Sequence, residues 1–228
     1  MNLTGHLPHW DIEYRTIDIS SIKKWTLSHI QQQGYALTCL EDAHHHLTPA
    51  EALALSQYLT RQSLDPCLRT SLYHALTQSI PELNWQTIHI QTLTHFRILI
   101  PTDTFSPVPT HTDYGFGHLS CERNLWIALT NALDQAALRI ATLETSLSFL
   151  KHSQQQYGII SHHQSLPPRP AYAGDLILFS PLHLHAASPP PPQVTRVSID
   201  VRIIPSTFQQ FGVSFSPMAH YLPVLSLT

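Results

Sequence analysis

The sequence predicts an α+β protein that is mainly β, in which helices flank a jelly-roll barrel. Helical periodicity runs through the first 85 or so residues, whereas short strands punctuated by proline and glycine fill the stretch that follows. A chain of 228 residues is within the size range of one β-barrel domain. We therefore expect a single domain over 1–228, with helical support in 1–85, the barrel core in 86–205 and a tail in 206–228.

Three helices are expected in the first part of the chain. The first begins with Ser20 or Ser21 as its cap, and the second begins at Pro49. A third extends from Pro66 to Leu76. The apolar faces predicted for the first two helices are Ile22, Trp25, His29 and Ile30, and Ala50, Leu53, Ala54 and Tyr58. Such helices would pack against the outer face of one sheet and brace it.

Strands dominate the sequence after the helical part. We expect them at 85–90, 93–100, 125–130, 137–143, 157–160, 175–179 and 194–204. The last strand alternates, with Val197, Ile199, Val201 and Ile203 on one face and Arg196, Ser198, Asp200 and Arg202 on the other. A strand with four polar side chains on one face borders either solvent or a polar cavity.

A His-x-Asp triplet and a distant histidine form the main candidate site. His111 and Asp113 are one residue apart, so their side chains leave the same face of a strand, or converge where a strand runs into a loop. His185 lies 185 − 113 = 72 residues after Asp113, enough chain for a return to the same place. Two imidazoles and one carboxylate are the ligands that hold non-haem Fe(II) and leave positions open. The triplet His44-His45-His46 is expected instead to be a solvated loop, because consecutive side chains diverge.

Composition favours a small-molecule partner. A net charge of −3 with 12% charged residues gives no basic surface for nucleic acid. The first ten residues lack the features of a secretory signal, and no stretch approaches the roughly 20 apolar residues of a membrane span, so the cytoplasm is the expected location. The odd number of cysteines argues against a disulfide framework. The tail at 206–228 is left with three options: it wraps the barrel, covers the site or forms a homodimer contact.

Two segments resemble a known family. The run from Asn124 to Ala132, downstream of His111-Thr112-Asp113, and the strand at 195–205 are similar to small Fe(II)- and 2-oxoglutarate-dependent oxygenases of the streptomycin-biosynthesis type, relatives of the phytanoyl-CoA hydroxylases. The resemblance covers about 91–205, half of the chain. It implies a double-stranded β-helix of the cupin-like kind, Fe(II) bound by His111, Asp113 and His185, and 2-oxoglutarate and O2 as cosubstrates. The prolines at 189–192 and the segment at 134–156 depart from the family pattern.

The resemblance also implies roles for four residues near the metal. Arg196 would pair with the distal carboxylate of 2-oxoglutarate, with Ser198 sharing that contact. Asn124 would donate a hydrogen bond to the cosubstrate. Arg97 lies where the family also has an arginine, and is expected either to bind cosubstrate or substrate or to form a structural ion pair.

Two of these assignments have competitors nearby in the sequence. His183 competes with His185, but the family places the ligand ten residues after the aspartate of a Gly-Asp pair, and Gly174-Asp175 gives 175 + 10 = 185. His183 is then expected to line the cavity. Arg202 competes with Arg196, which is favoured because it is closer to His185 and begins an Arg-x-Ser pattern.

The expected activity is therefore oxidation of a small molecule, an intermediate of natural-product biosynthesis, with release of succinate and CO2. Hydroxylation, desaturation or ring closure fits better than halogenation, because Asp113 fills the position that a halide would need. Two other classes stay open: a cupin-like hydrolase or isomerase, which would act without O2, and a barrel that binds a ligand without turnover. The dicarboxylate clamp favours the oxygenase, since neither alternative requires one.

Overall fold

A computed structural model describes residues 11–102, 109–152, 166–205 and 221–223. The prediction of an α+β fold is confirmed: helices precede and flank two antiparallel sheets. The described strands form these two separate sheets, and their ladders do not close into a barrel. Within the same residues, no helix is both long and apolar enough to cross a membrane.

Ten strands make up the sheets. They are β1 (Glu13–Thr16), β2 (Ile88–Gln91), β3 (His95–Leu99), β4 (Arg123–Ala128), β5 (Leu138–Ile140), β6 (Pro168–Arg169), β7 (Asp175–Phe179), β8 (His185–Ala186), β9 (Arg196–Pro205) and β10 (Tyr221–Pro223). The larger sheet has the order β1-β7-β4-β9-β2-β10, and β3 pairs with the first half of β9. The smaller sheet has the order β6-β5-β8. The described part of the tail, β10, thus extends the larger sheet beside β2.

The helices are α1 (Ser20–Gln32), α2 (Ala43–His46), α3 (Pro49–Gln62), α4 (Pro66–Ser79) and α5 (Leu143–His152). Buried side chains of α1, α3 and α4 pack on one face of the larger sheet, as expected for the helical part of the chain. The same cluster contains Val197, Ile199, Val201 and Ile203, so the apolar face of β9 is as predicted. A smaller cluster, which includes Trp126 and Ile177 from the larger sheet and Ile140 from β5, fills the space between the sheets.

Several local predictions in the helical part were wrong. Ser20 and Ser21 are the first residues of α1 rather than its cap, and the amide of Ser20 donates to the carboxylate of Asp18 at 2.9 Å. The predicted inward face of α3 is displaced, because Leu53 is 47% exposed and Leu55 is buried instead. The segment containing His44 is a short helix, α2, and not a loop.

An unpredicted contact joins α3 to the free edge of β3. The hydroxyls of Ser56 and Thr60 accept hydrogen bonds from the amides of Ile98 and Phe96, at 2.8 and 3.0 Å. Each hydroxyl also donates to the helix carbonyl four residues earlier, at 2.7 and 2.8 Å. Residues four apart on a helix and residues two apart on a strand have similar spacing. The two hydroxyls of α3 therefore match the amides of Phe96 and Ile98 and accept the hydrogen bonds that a neighbouring strand would otherwise accept.

The segment between β4 and β7 differs most from the prediction. The strand expected at 137–143 ends at Ile140, and Leu143 begins α5, which was not predicted. The spacing of Leu143, Leu147 and Leu150 is the helical signal that was missed. The strand expected at 157–160 lies outside the described residues.

Candidate metal centre

Three buried side chains from two regions of the chain meet at one point. His111, Asp113 and His185 each offer a ligand atom, and these atoms lie within 4.8 Å of one another. The Nε2 atoms of His111 and His185 are 3.6 and 3.8 Å from the two carboxylate oxygens of Asp113. This is a donor set of two nitrogens and one oxygen arranged around a common centre.

Main-chain hydrogen bonds hold the two histidines side by side. His111 and His185 are antiparallel partners, and each amide donates to the carbonyl of the other, at 3.0 and 2.9 Å. Their rings are 4.2 Å apart between centroids. The sequence separation of these residues is large, yet their relative position is fixed by the backbone and not by flexible side chains.

Asp113 begins a single turn of 3-10 helix at the point where the His111 segment leaves the sheet. The hydroxyl of Thr112 caps this turn by accepting from the amide of Gly115 at 3.1 Å, and Gly117 ends the turn with a φ of 93°. The amide of Tyr114 donates to the carbonyl of Pro181 at 3.1 Å, which ties the turn to the loop before His185. Of the two geometries allowed for His-x-Asp, the chain adopts the strand-to-loop form.

Hydrogen bonds define which ring nitrogen of each histidine is available. The Nδ1 atom of His111 is 2.7 Å from the carbonyl oxygen of Pro109, and that of His185 is 3.0 Å from the carbonyl oxygen of His183. A carbonyl only accepts, so each Nδ1 carries a proton, and the Nε2 of each ring is the nitrogen that faces Asp113. In their neutral forms the two rings would direct lone pairs towards the carboxylate, an arrangement that a cation between them stabilises. The donor chemistry therefore fits a metal ion.

The charges around Asp113 favour its ionised form. Burial raises the pKa of Asp113, whereas its interactions with His185, His111 and Arg202 lower it. The lowering is the larger effect, so the pKa of Asp113 is well below its ordinary value. Burial lowers the pKa of His185 to about 4. At neutral pH the site therefore presents an anionic carboxylate and a neutral imidazole at His185, the protonation states that bind a divalent cation.

Asn124 and Arg202 each contact one oxygen of the Asp113 carboxylate. The side-chain amide of Asn124 donates to one oxygen at 2.6 Å, and the guanidinium of Arg202 contacts the other at 3.0 Å. Asn124 and Arg202 are themselves cross-strand partners on β4 and β9. Asn124, predicted to contact the cosubstrate, thus orients a candidate metal ligand, and Arg202 is engaged by the same carboxylate.

Arg196 is buried in the same cavity and has hydrogen-bond donors without partners. It is 1% exposed, and one of its Nη atoms donates to the carbonyl of Ala136 at 3.0 Å. Its Nε and second Nη atom are buried and have no hydrogen-bond partner among the described residues. Burial lowers the pKa of Arg196 to about 10, so it remains a cation at neutral pH. A buried cation with two unused donors has the chemistry that pairs with an anion.

The other residues singled out in the sequence have varied positions. Arg97 lines the cavity and forms an ion pair with Asp200 at 2.7 Å, the structural alternative that the sequence left open. Ser198 is buried with an unpartnered hydroxyl, but it is not among the cavity-lining residues. The ring of His183 is fully buried away from the cavity, so the prediction that it lines the cavity was wrong.

Comparisons with known proteins support the fold. No protein-family profile and no curated protein matches the sequence. EvdO2 from Micromonospora carbonacea var. aurantiaca, solved as a complex with 2-oxoglutarate, is 12% identical with a TM-score of 0.52, over 90% of this chain and 94% of that one. The nickel complex of ThoJ, a non-heme monooxygenase, is 15% identical with a TM-score of 0.51, over 85% and 74% of the two chains.

A third similar structure, EvdMO1, is much longer. It is 17% identical with a TM-score of 0.40, and the alignment covers 59% of this chain but only 30% of EvdMO1. At such identities the similarity to EvdO2 and ThoJ shows a common fold. The chain therefore shares the fold of EvdO2 and ThoJ, and a His/Asp/His metal-site candidate lies within it.

Proposed function

We propose that this protein is a non-haem Fe(II)- and 2-oxoglutarate-dependent oxygenase that acts on a small molecule of natural-product biosynthesis. The observation that carries the proposal is the combination of the His111, Asp113 and His185 donor set with the unpaired guanidinium of Arg196 in one cavity. A hydrolase or isomerase needs the first feature only. The fold shared with EvdO2, a protein solved with 2-oxoglutarate, supports the same conclusion.

Each residue has a defined task in this proposal. His111, Asp113 and His185 would hold Fe(II) on one side and leave the opposite side open. Arg196 would hold the distal carboxylate of 2-oxoglutarate. Ser198 has an unpartnered hydroxyl but does not line the cavity, so no contact with 2-oxoglutarate is assigned to it. When bound, Fe(II) and 2-oxoglutarate supply oxidation of a C–H bond by O2, with succinate and CO2 as by-products.

In this proposal the surrounding protein positions the reacting groups and excludes water from the metal centre. Asn124 and Arg202 fix the orientation of the Asp113 carboxylate. Phe179 packs its ring edge-on against His185 at 5.1 Å between centroids, which limits water access from that side. The larger and smaller sheets enclose the site between them, and we propose that they are the two halves of a double-stranded β-helix. The expected product is a hydroxylated, desaturated or cyclised form of the substrate.

An anaerobic titration tests the proposal. Apo-protein would be titrated with Fe(II) and 2-oxoglutarate while the visible charge-transfer absorption of the iron chelate is recorded. We expect the band with the intact protein and both additions, and its loss in His185→Ala. His183→Ala is the matched control, because this buried neighbour does not line the cavity, and it should retain the band. Circular dichroism would establish that both variants are folded.

The opposite result is equally informative. A folded protein that binds Fe(II) without developing the band would overturn the oxygenase proposal and favour a cupin-like hydrolase or isomerase. Activity measured with and without O2 would then identify that class. Loss of the band in His183→Ala alone would show that the third ligand had been misassigned.

A further inference from the structure

A second cavity lies beside the candidate metal centre, between α3 and the edge strand β3. Its volume is about 380 Å³, within the usual range for small-molecule sites. Among its lining residues are Ala52, Leu53, Gln57 and Arg61 of α3 and Leu99 and Ile100 at the end of β3. We call this cavity the α3–β3 groove. Arg97 lines both the groove and the metal cavity, so the two adjoin across the ion pair of Arg97 with Asp200.

The floor of the groove offers a ligand mainly apolar contacts, because the two hydroxyls in it already form hydrogen bonds within the protein. The hydroxyls of Ser56 and Thr60 each donate to α3 and accept from β3, so both are already engaged. Around them lie Ala52, Leu53 and Leu99. A ligand therefore meets hydrocarbon along most of the groove and gains by burying an apolar body there.

Two polar residues that line the groove, both on α3, have no partner in the described part of the chain. Gln57 and Arg61 are one turn apart on α3, both are exposed, and neither has a hydrogen-bond or ion-pair partner in the described part of the chain. By contrast, His95 is 3.2 Å from the side chain of Gln91, and Arg97 is paired with Asp200. Arg61 is thus the one lining cation that has no acidic partner among the described residues.

We propose that the α3–β3 groove binds the substrate, an elongated apolar molecule with a single acidic group that pairs with Arg61. Its apolar body would lie along Leu53 and Leu99, while the shared wall at Arg97 brings one part of it next to the metal cavity. The assignment as substrate rests on the proposed function. Binding in the groove does not, because the groove contains none of the candidate metal ligands.

Metal-free protein and a fluorescent fatty acid test the binding directly. The probe is 11-(dansylamino)undecanoic acid, whose emission rises and shifts to the blue in an apolar site. We expect saturable binding, weakened about tenfold or more by Leu53→Glu, because a carboxylate in the groove opposes both the apolar body and the acid. Leu64→Glu is the matched control: Leu64 is 50% exposed against 47% for Leu53, but it lies outside the groove, and its variant should bind normally.

Competition with decanoate and decanol tests the acidic group. Decanoate should displace the probe better than decanol, and Arg61→Gln should remove most of that advantage while leaving decanol unchanged. Lys24→Gln, which removes an exposed charge from α1, should have no such effect. Equal competition by the acid and the alcohol would overturn the pairing with Arg61.

Two further outcomes separate this inference from the proposed function. Absence of saturable probe binding, or equal loss in Leu53→Glu and Leu64→Glu, would overturn the groove as a binding site even if the iron chelate forms. Saturable binding that depends on Leu53 and Arg61 would stand even if the iron titration failed. In that case the groove would be a ligand site of a protein that is not an oxygenase.

Discussion

Arg196 combines burial, positive charge and unused donors, and no acidic side chain lies within hydrogen-bonding distance of it in the described structure. The neighbouring arginines differ in this respect, since Arg97 is paired with Asp200 and Arg202 with Asp113. Leaving donors of a buried cation unpaired costs free energy, which the arrival of a carboxylate recovers. Of the three arginines that line the metal cavity, Arg196 is therefore the one that has no acidic partner among the described residues.

Arg196→Gln should weaken 2-oxoglutarate binding by about 10- to 100-fold, because a charge-assisted pair contributes about 1.5–3 kcal/mol. Glutamine can still donate to the carbonyl of Ala136, so the fold should be retained. Fe(II) affinity should change by no more than about twofold. Isothermal titration under nitrogen would measure both constants, with Arg97→Gln as the matched cavity arginine. Equal losses for metal and cosubstrate would contradict the role of Arg196.

Asn124→Ala should reduce metal affinity by about 10- to 100-fold, the usual effect of removing a group that orients a ligand. The reason is the 2.6 Å hydrogen bond that holds the Asp113 carboxylate. Asn131→Ala is a suitable control, because the side-chain oxygen of Asn131 accepts its hydrogen bond from the amide of Ala173 and does not contact Asp113. Metal competition with a chelating dye provides the readout. Unchanged metal affinity with weaker 2-oxoglutarate binding would instead restore the cosubstrate contact expected from the sequence.

At the scale of elements, helix ends and the α3 contact with β3 are held by single polar side chains. Asp65 caps α4 by accepting from the amide of Cys67 at 2.7 Å, and it also accepts from the indole of Trp25 on α1 at 2.8 Å. One carboxylate therefore joins two helices. The hydroxyls of Ser56 and Thr60 similarly join α3 to β3.

Ser56→Ala should destabilise the protein by about 1–3 kcal/mol, because the amide of Ile98 would lose its acceptor in a buried position. Ser71→Ala is the matched control: its hydroxyl also donates four residues back along a helix, but it is exposed. We expect the control to change stability by less than about 0.5 kcal/mol. Urea unfolding followed by circular dichroism would compare them. Equal effects would show that the strand contact contributes nothing.

Asp65→Ala should cost about 0.5–2 kcal/mol through loss of the cap, and the loss should depend on pH. The hydrogen bond from Trp25 is the main cause of a pKa below the ordinary 3.8 for Asp65. A lowered pKa means that the stabilisation is fully present above pH 3.8 and disappears as the pH falls through the lowered value. Unfolding midpoints of the two proteins should therefore differ near pH 6 and converge at strongly acidic pH. A difference between the two unfolding midpoints that does not change with pH would show that the ionised carboxylate of Asp65 is not the source of the stabilisation.

At the scale of the whole molecule, the metal centre connects parts of the chain that are far apart in sequence. His185 begins β8 of the smaller sheet and His111 pairs with it, while Asp113 contacts β4 of the larger sheet through Asn124 and β9 through Arg202. A ligand that binds only the folded arrangement stabilises all of these elements together. Occupancy of the centre is therefore linked to global unfolding.

Mn(II) with 2-oxoglutarate should raise the melting temperature by about 11–22 °C when each is at about 100 times its Kd. That concentration supplies about 2.7 kcal/mol per ligand, and each kcal/mol shifts a domain of this size by about 2–4 °C. Differential scanning fluorimetry would record the shift, and excess EDTA should reverse it. A similar shift in His185→Ala would place the binding elsewhere.

Sequence patterns predicted those parts of the fold that depend on local periodicity. The strand at Asp175–Phe179 agrees residue for residue, because an apolar run follows a glycine that adopts a φ of 96°. The alternation of apolar and polar residues along β9 was also predicted from the sequence. The bracing of Asp113 by Asn124 and Arg202 was not, since it depends on strand register in three dimensions. The face of α3 was misjudged because Ser56 is buried for a hydrogen bond that no hydrophobic pattern reveals.

The hydroxyl contacts of α3 have a consequence for the behaviour of the protein in concentrated solution. Among the described residues β3 pairs with β9 alone, and a strand edge of this kind usually presents free amides that recruit other chains. Here the amides of Phe96 and Ile98 are already occupied by Thr60 and Ser56. A second molecule cannot add a strand along this edge without first displacing a helix, so the edge is protected against intermolecular sheet growth and aggregation.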